Sequence, residues 1–100
     1  MGDSDLLRCL LHVIGRAVIP DKKVRALIGR AKNGLKAFNL LDGVRTITEV
    51  SKKTKINQGN LSRLTSRWVD SGIAFRIGEG LDERVLHVYP IPEKPPKEQQ

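Results

Sequence analysis

Apolar residues first recur at helical spacing in "DSDLLRCLLHVIGRAVIP". Leu6, Leu7, Leu10, Leu11 and Ile14 mark one face, behind a cap candidate at Asp3 or Ser4. Cys9 and Val13 widen that face until it covers most of the circumference, while Arg8, His12 and Arg16 form a polar stripe. One side of a small domain does not need so much apolar girth. The pattern predicts a helix that is deeply buried or shared with a second copy of the chain, with Leu6, Leu7, Leu10, Leu11 and Ile14 as dimer contacts. Pro20 and Asp21 punctuate the next start, and Val24, Leu27, Ile28 and Ala31 predict an amphipathic helix broken or ended by Gly34. "LKAFNLLDG" predicts a short helix with Leu35, Phe38 and Leu41 inward, stopped near Gly43.

"TITE" is a capping-box pattern, in which Thr46 and Glu49 can satisfy each other's backbone N–H groups. It predicts a helix to about Thr54, then a tight turn at Lys55-Ile56. Asn57 is a strong cap for another helix, predicted to reach about Ser71 and stop at Gly72. "IAFRIG" alternates, which places Ile73, Phe75 and Ile77 on one face. "EGLDER" reads as a polar turn and "VLHVY" as a second strand. The resulting hairpin is marginal alone and must lie against the helices, through Phe75, Ile77, Leu86 and Val88. "PIPEKPPKEQQ" is Pro-rich and charged and predicts a disordered tail. The expected class is mainly α with a small β-hairpin: a helical segment over 1–43 that can dimerise, a helix–turn–helix with hairpin over 44–90, and a tail over 91–100.

Charge changes what this scaffold suggests. The 100 residues suffice for one compact domain, and the net charge is +7. Residues 1–43 carry eight basic and four acidic groups and residues 44–84 carry eight and five, so the excess is not confined to one tail. A folded basic domain of this size suggests a polyanion, nucleic acid before membrane. Cys9 is the single cysteine, which fits a reducing, cytoplasmic setting. No apolar run approaches the ~18 residues of a membrane span, and nothing resembles a cleaved signal. Met1-Gly2 is no myristoylation signal, because Leu6 stands where Ser or Thr is expected.

Residues 46–77, "TITEVSKKTKINQGNLSRLTSRWVDSGIAFRI", resemble the winged helix–turn–helix of prokaryotic regulators of the MarR and ArsR type. Val50-Ser51 match the apolar–small pair, Ile56 the apolar plug of the turn, Leu61-Ser62-Arg63 the middle of the recognition helix, and Gly72-Ile73 the exit into the wing. The resemblance implies a three-helical core plus wing, with extra helices before it, in a DNA-binding transcriptional regulator. One departure is Lys55, at a position usually taken by Gly. A left-handed Lys there would cost about 1 kcal/mol.

The residues lead to the same expectation. Leu61, Leu64, Trp68 and Val69 form a core face, whereas Gln58, Asn60, Arg63 and Arg67 project elsewhere. The N-terminal part of a recognition helix approaches base edges in the major groove. Asn and Gln bond adenine in bidentate fashion and Arg bonds guanine, so Gln58, Asn60 and Arg63 are the candidate base contacts. Thr48, Lys52, Lys53, Lys55, Ser62, Ser66, Arg67, Arg76 and Arg84 are candidates for phosphate contact. A homodimer would set two recognition helices about one DNA turn apart on a palindromic site. Two other uses of the scaffold stay open, a protein–protein interaction module and an RNA-binding winged helix. The latter favours exposed aromatics, and the four aromatics here have mostly core duties.

Other chemistry has little support. Cys9 and His12 have half-site spacing for a metal but only His87 remains to help, so a buried thiol beside a surface His is expected. "GEG" at 78–80 sits in a hairpin turn and opens no helix. No carboxylate pair or nucleophile–base pattern marks an enzyme, and no cofactor or small-molecule effector is indicated.

Overall fold

The computed structural model describes residues 2–92, as five α-helices followed by a two-stranded antiparallel hairpin. The helices are α1 (Asp3–Val18), α2 (Asp21–Ile28), α3 (Gly34–Leu40), α4 (Ile47–Thr54) and α5 (Gln58–Asp70). The strands are β1 (Ala74–Ile77) and β2 (Arg84–His87), joined through a single 3-10 turn at Gly80–Asp82. No described helix is long and apolar enough to cross a membrane.

Caps set the boundaries of α4 and α5. The Thr46 hydroxyl accepts from the Glu49 N–H at 3.1 Å, and the Glu49 carboxylate accepts from the Thr46 N–H at 2.8 Å, which completes the box. Asn57 Oδ1 accepts from the N–H groups of Gly59 (2.8 Å) and Asn60 (3.2 Å) and opens α5. Such a side-chain cap is worth about 1 kcal/mol. Between the two helices Lys55 is left-handed, with φ 61°.

The first helix starts at Asp3 with Gly2 as its cap residue, so Asp3 lies in the first turn rather than at the cap. There its carboxylate complements the helix dipole. The second helix ends at Ile28, because Gly29 (φ 87°) turns the chain before Ala31, which is left exposed. Gly34 does not end a helix. It is the buried first residue of α3, and Asn33 (φ 62°) makes the turn before it.

The core gathers Val24 and Ile28 of α2, Ala37 and Phe38 of α3, Val50 of α4, and Leu61 and Trp68 of α5 beneath the hairpin. Trp68 and Phe38 meet edge to face, 5.4 Å between ring centres. β2 is flanked on both edges. It pairs with β1 in the register Ala74↔His87 to Ile77↔Arg84, and the backbone of 41–43 bonds its other edge through Gly43 N–H to Val85 O (3.0 Å) and His87 N–H to Leu41 O (2.8 Å). Residues 85–89 are accordingly all buried, as in a central strand.

The edge strand β1 departs from expectation. Ile73 and Ala74 are buried, Phe75 is 38 % exposed and Ile77 is half-buried. α5 lies against the face carrying Ala74 and Arg76, where a methyl group allows close approach, so Phe75 points away from the helices. Leu86 and Val88 are buried as expected. The tail begins later than position 91. Ile91 is buried, its N–H bonds Asn39 Oδ1 (2.8 Å) and its carbonyl accepts from Asn39 Nδ2 (2.6 Å). The expectation of disorder for 93–100 lies outside the described residues.

Candidate nucleic-acid interface

α5 is amphipathic in a particular way. Leu61, Thr65 and Trp68 form its buried seam, and Leu64 and Val69 flank it half-buried. Opposite run Gly59, Ser62, Arg63, Ser66 and Asp70, all exposed and three or four residues apart. Arg63 donates to Asn60 Oδ1, so these two candidate base contacts form one outward unit. Gln58 is exposed but two positions from Asn60, on the other flank of the helix. Thr48, Lys52 and Lys53 are exposed on α4, and Lys55 is exposed at the turn.

Arg67 Nη2 donates to the Ile28 carbonyl at 3.1 Å, and Trp68 Nε1 donates to the same oxygen at 3.2 Å. Together they close the C-terminal end of α2, where a cation also suits the dipole. The hairpin arginines are likewise engaged. Arg76 donates to Ser66 Oγ at 3.0 Å and to Glu83 Oε1 at 3.1 Å, which ties β1 to α5 and to the turn. Arg84 donates to the carbonyls of Val44 (3.0 Å), Leu81 (3.2 Å) and Glu83 (3.0 Å). Leu81 itself is fully exposed at the turn.

The residues expected at a dimer contact divide into two sets. Leu6, Leu7, Leu10 and Ile14 are about half exposed, at 44–58 %, and Val13 and Val18 add to their face at 69 % and 71 %. Leu11 instead packs half-buried against the core. The inner side of α1 is held by Gly15, where a Cβ would stand 2.5 Å from Val88 Cγ2. Arg8 Nη1 donates to the Asp42 carbonyl (3.3 Å), Arg16 lies over the Tyr89 ring (4.6 Å), and the Tyr89 hydroxyl donates to the Ile19 carbonyl. Asp42 caps the following turn: burial opposes its charge, but the N–H groups of Arg45 and Val44 and the Arg45 guanidinium hold its carboxyl below the usual range.

Cys9 is exposed, not buried, because it lies on the side of α1 turned away from the core. His12 is the residue that turns in. Its ring stacks on His87, 5.6 Å between centres, and His87 stacks on Phe38. His87 Nδ1 lies 2.8 Å from the Phe38 carbonyl, which identifies that nitrogen as the protonated one. Burial lowers the pKa of both imidazoles, and Arg16 and Arg8 lower that of His12 further.

Sequence reasoning missed two residues beside α5. Lys32 and Asn33, in the α2–α3 loop, stand next to Lys55, Asn57 and Asn60. The turn dipeptide Asn33-Gly34 was the available signal.

No family model, curated protein or solved structure matches this chain.

Proposed function

We propose that the protein binds double-stranded DNA through α5, as a homodimeric winged-helix regulator of transcription. The observation that carries the reading is the outer stripe of α5. From Gln58 to Arg67 every exposed residue is polar, small or basic, and none is acidic. Such a stripe leads from a capped N-terminus, where base edges are read. Supporting features are the short α4–α5 turn at Lys55, the antiparallel hairpin that follows α5, and the pairing of residues 41–43 on the far edge of β2. The net charge of +7 adds a general attraction for a polyanion. In this reading Asn60 and Arg63 contact bases, Gln58 reaches the other side of the groove, and Lys52, Lys53 and Lys55 meet phosphates.

The outer face of α1 supports the dimer. About Leu10 its pattern is self-complementary: an antiparallel copy would set Leu6 against Ile14 and Leu7 against Val13. Self-complementarity about one residue is what a two-fold interface requires. A second reading, a protein–protein interaction module, draws on the wing, where Leu81 is fully exposed and Arg84 is occupied by backbone carbonyls.

Selection from random-sequence duplexes, followed by gel shift at two salt concentrations, tests the proposal. A selected palindromic site bound more tightly than random duplex, with both affinities falling as salt rises, is the expected result. Enrichment of no site would remove the regulator and favour the interaction module.

A further inference from the structure

Asn33 and Lys55 are the two non-glycine residues with left-handed backbones among those described. They belong to different loops, yet they line the same hollow. Asn33 Nδ2 donates to the Thr54 carbonyl at 2.8 Å, so the α2–α3 loop is fastened to the end of α4 immediately before Lys55. Strained backbone conformations persist where the surroundings over-determine them, and they cluster at binding sites.

The hollow is one trough in two parts. One, of about 560 Å³, runs between Lys32 on the loop and Asn60, Arg63 and Arg67 on α5. The other, of about 450 Å³, continues from Lys32 and Asn60 past Asn33 to Lys55 and Asn57. Lys32, Ile56 and Asn60 line both parts, and no carboxylate lines either. Four cations therefore face a channel open to solvent, along the flank of α5 opposite the wing. On the wing flank, by contrast, carboxylates stand among the cations: Arg76 is paired with Glu83 at 3.1 Å, and Glu79 is exposed at the turn.

A helix in the major groove, which is about 12 Å wide, has a phosphate strand on each side. We propose that the trough between the α2–α3 loop and α5 holds one DNA phosphodiester strand, with Lys32 and Lys55 on its phosphates and Arg67 held ready at the wall. The inference rests on the duplex-binding reading of α5 and adds the strand that it predicts on the side away from the wing. Arg67 is prepositioned by its bond to the Ile28 carbonyl, and Gly29 leaves room for it, since a Cβ there would stand 3.0 Å from Arg67 Nη2. Lys32 is exposed, so replacing it leaves the core intact.

The test is a salt series of duplex affinities for the full chain and for Lys32→Ala, Lys32→Glu and, as a cation away from the trough, Lys23→Ala. Lys32→Ala is expected to weaken selected and random duplexes alike, about 3- to 10-fold, and to reduce the log–log salt slope by about 0.9, the loss of one phosphate contact. Lys32→Glu goes further in the same direction, and Lys23→Ala changes neither quantity. If the parent binds duplex DNA and both Lys32 variants keep its affinity and slope, the trough is empty and the α5 reading survives alone. A loss confined to the selected sequence would put Lys32 on a base and overturn the phosphate assignment. A parent with no salt-dependent duplex binding overturns both.

Discussion

α1 and α5 each turn a long face to solvent, and the two faces are chemical opposites. α5 presents Ser62, Arg63 and Ser66 outward, with Asn60 and Arg67 on one flank. α1 presents Leu6, Leu10, Val13 and Ile14, which remain half or more exposed. A polar, basic face keeps its water at no cost and exchanges it for phosphate and base edges when DNA arrives. A contiguous apolar face gains by being covered. One chain thus carries two kinds of incompleteness. The proposed partners differ accordingly, a polyanion for the first and another copy of the chain for the second.

The largest effect is expected where the α1 face is made to resemble that of α5. Leu10→Glu places a charge on the two-fold point of the proposed helix pair. The change loses the burial of two Leu side chains and should weaken self-association by about 3 kcal/mol or more, over about 100-fold. Sedimentation velocity is expected to show a soluble monomer for the variant and a concentration-dependent dimer for the parent. A parent that stays monomeric at every concentration would mean that α1 is covered by something else.

Gly15→Ala acts on the inner side of α1. The added methyl would collide with Val88 Cγ2 and press on Tyr89 Cδ2 at 3.2 Å. Overpacking of this kind costs about 1–3 kcal/mol. Because α1 touches the rest of the molecule through few residues, amide exchange should accelerate in residues 3–18 while α5 stays protected. Equal acceleration in both helices would show that α1 is an integral part of the core.

What was legible in the sequence follows from this division. The boundaries of α4 and α5 came from Thr46, Glu49 and Asn57, whose side chains act on backbone groups two or three residues away. Local chemistry of that kind does not depend on the rest of the fold. The hairpin face did not follow, because which side of β1 is inward depends on how closely α5 approaches Ala74. The pairing of residues 41–43 with β2 and the burial of Ile91 are tertiary contacts with no local signal. Gly29 did carry a signal, but the apolar spacing from Val24 to Ala31 outweighed it. The candidate base contacts were legible as residue types. Lys32 was not, because its proximity to α5 depends on a loop that Asn33 folds back.

The smallest expected effect concerns how α1 is attached as pH changes. Burial disfavours the charged forms of His12 and His87, so their folded pKa values lie below the unfolded value of about 6.5. Between those values the unfolded chain binds more protons, so stability rises with pH there. The contribution is complete above about pH 6.5 and is lost as pH falls through the depressed folded values. Arg16 and Arg8 strengthen the effect at His12, while at His87 the hydrogen bond to the Phe38 carbonyl and, more weakly, Asp42 oppose it. Melting temperature is expected to decline from about pH 7 to 5, and His12→Phe should flatten that decline. An unchanged profile in the variant would separate the stacked rings from the attachment of α1.

The proposed contact between the outer stripe of α5 and duplex DNA stands or falls with Arg63→Ala. Arg63 is exposed and bonded only to Asn60 among the described residues, so its removal leaves the fold untouched. Fluorescence anisotropy with the selected duplex and with a random duplex gives a specificity ratio for parent and variant. The expected loss is about 1–3 kcal/mol, roughly 5- to 150-fold, on the selected duplex, with a much smaller loss on the random one. Equal affinities of parent and variant for both duplexes would contradict it.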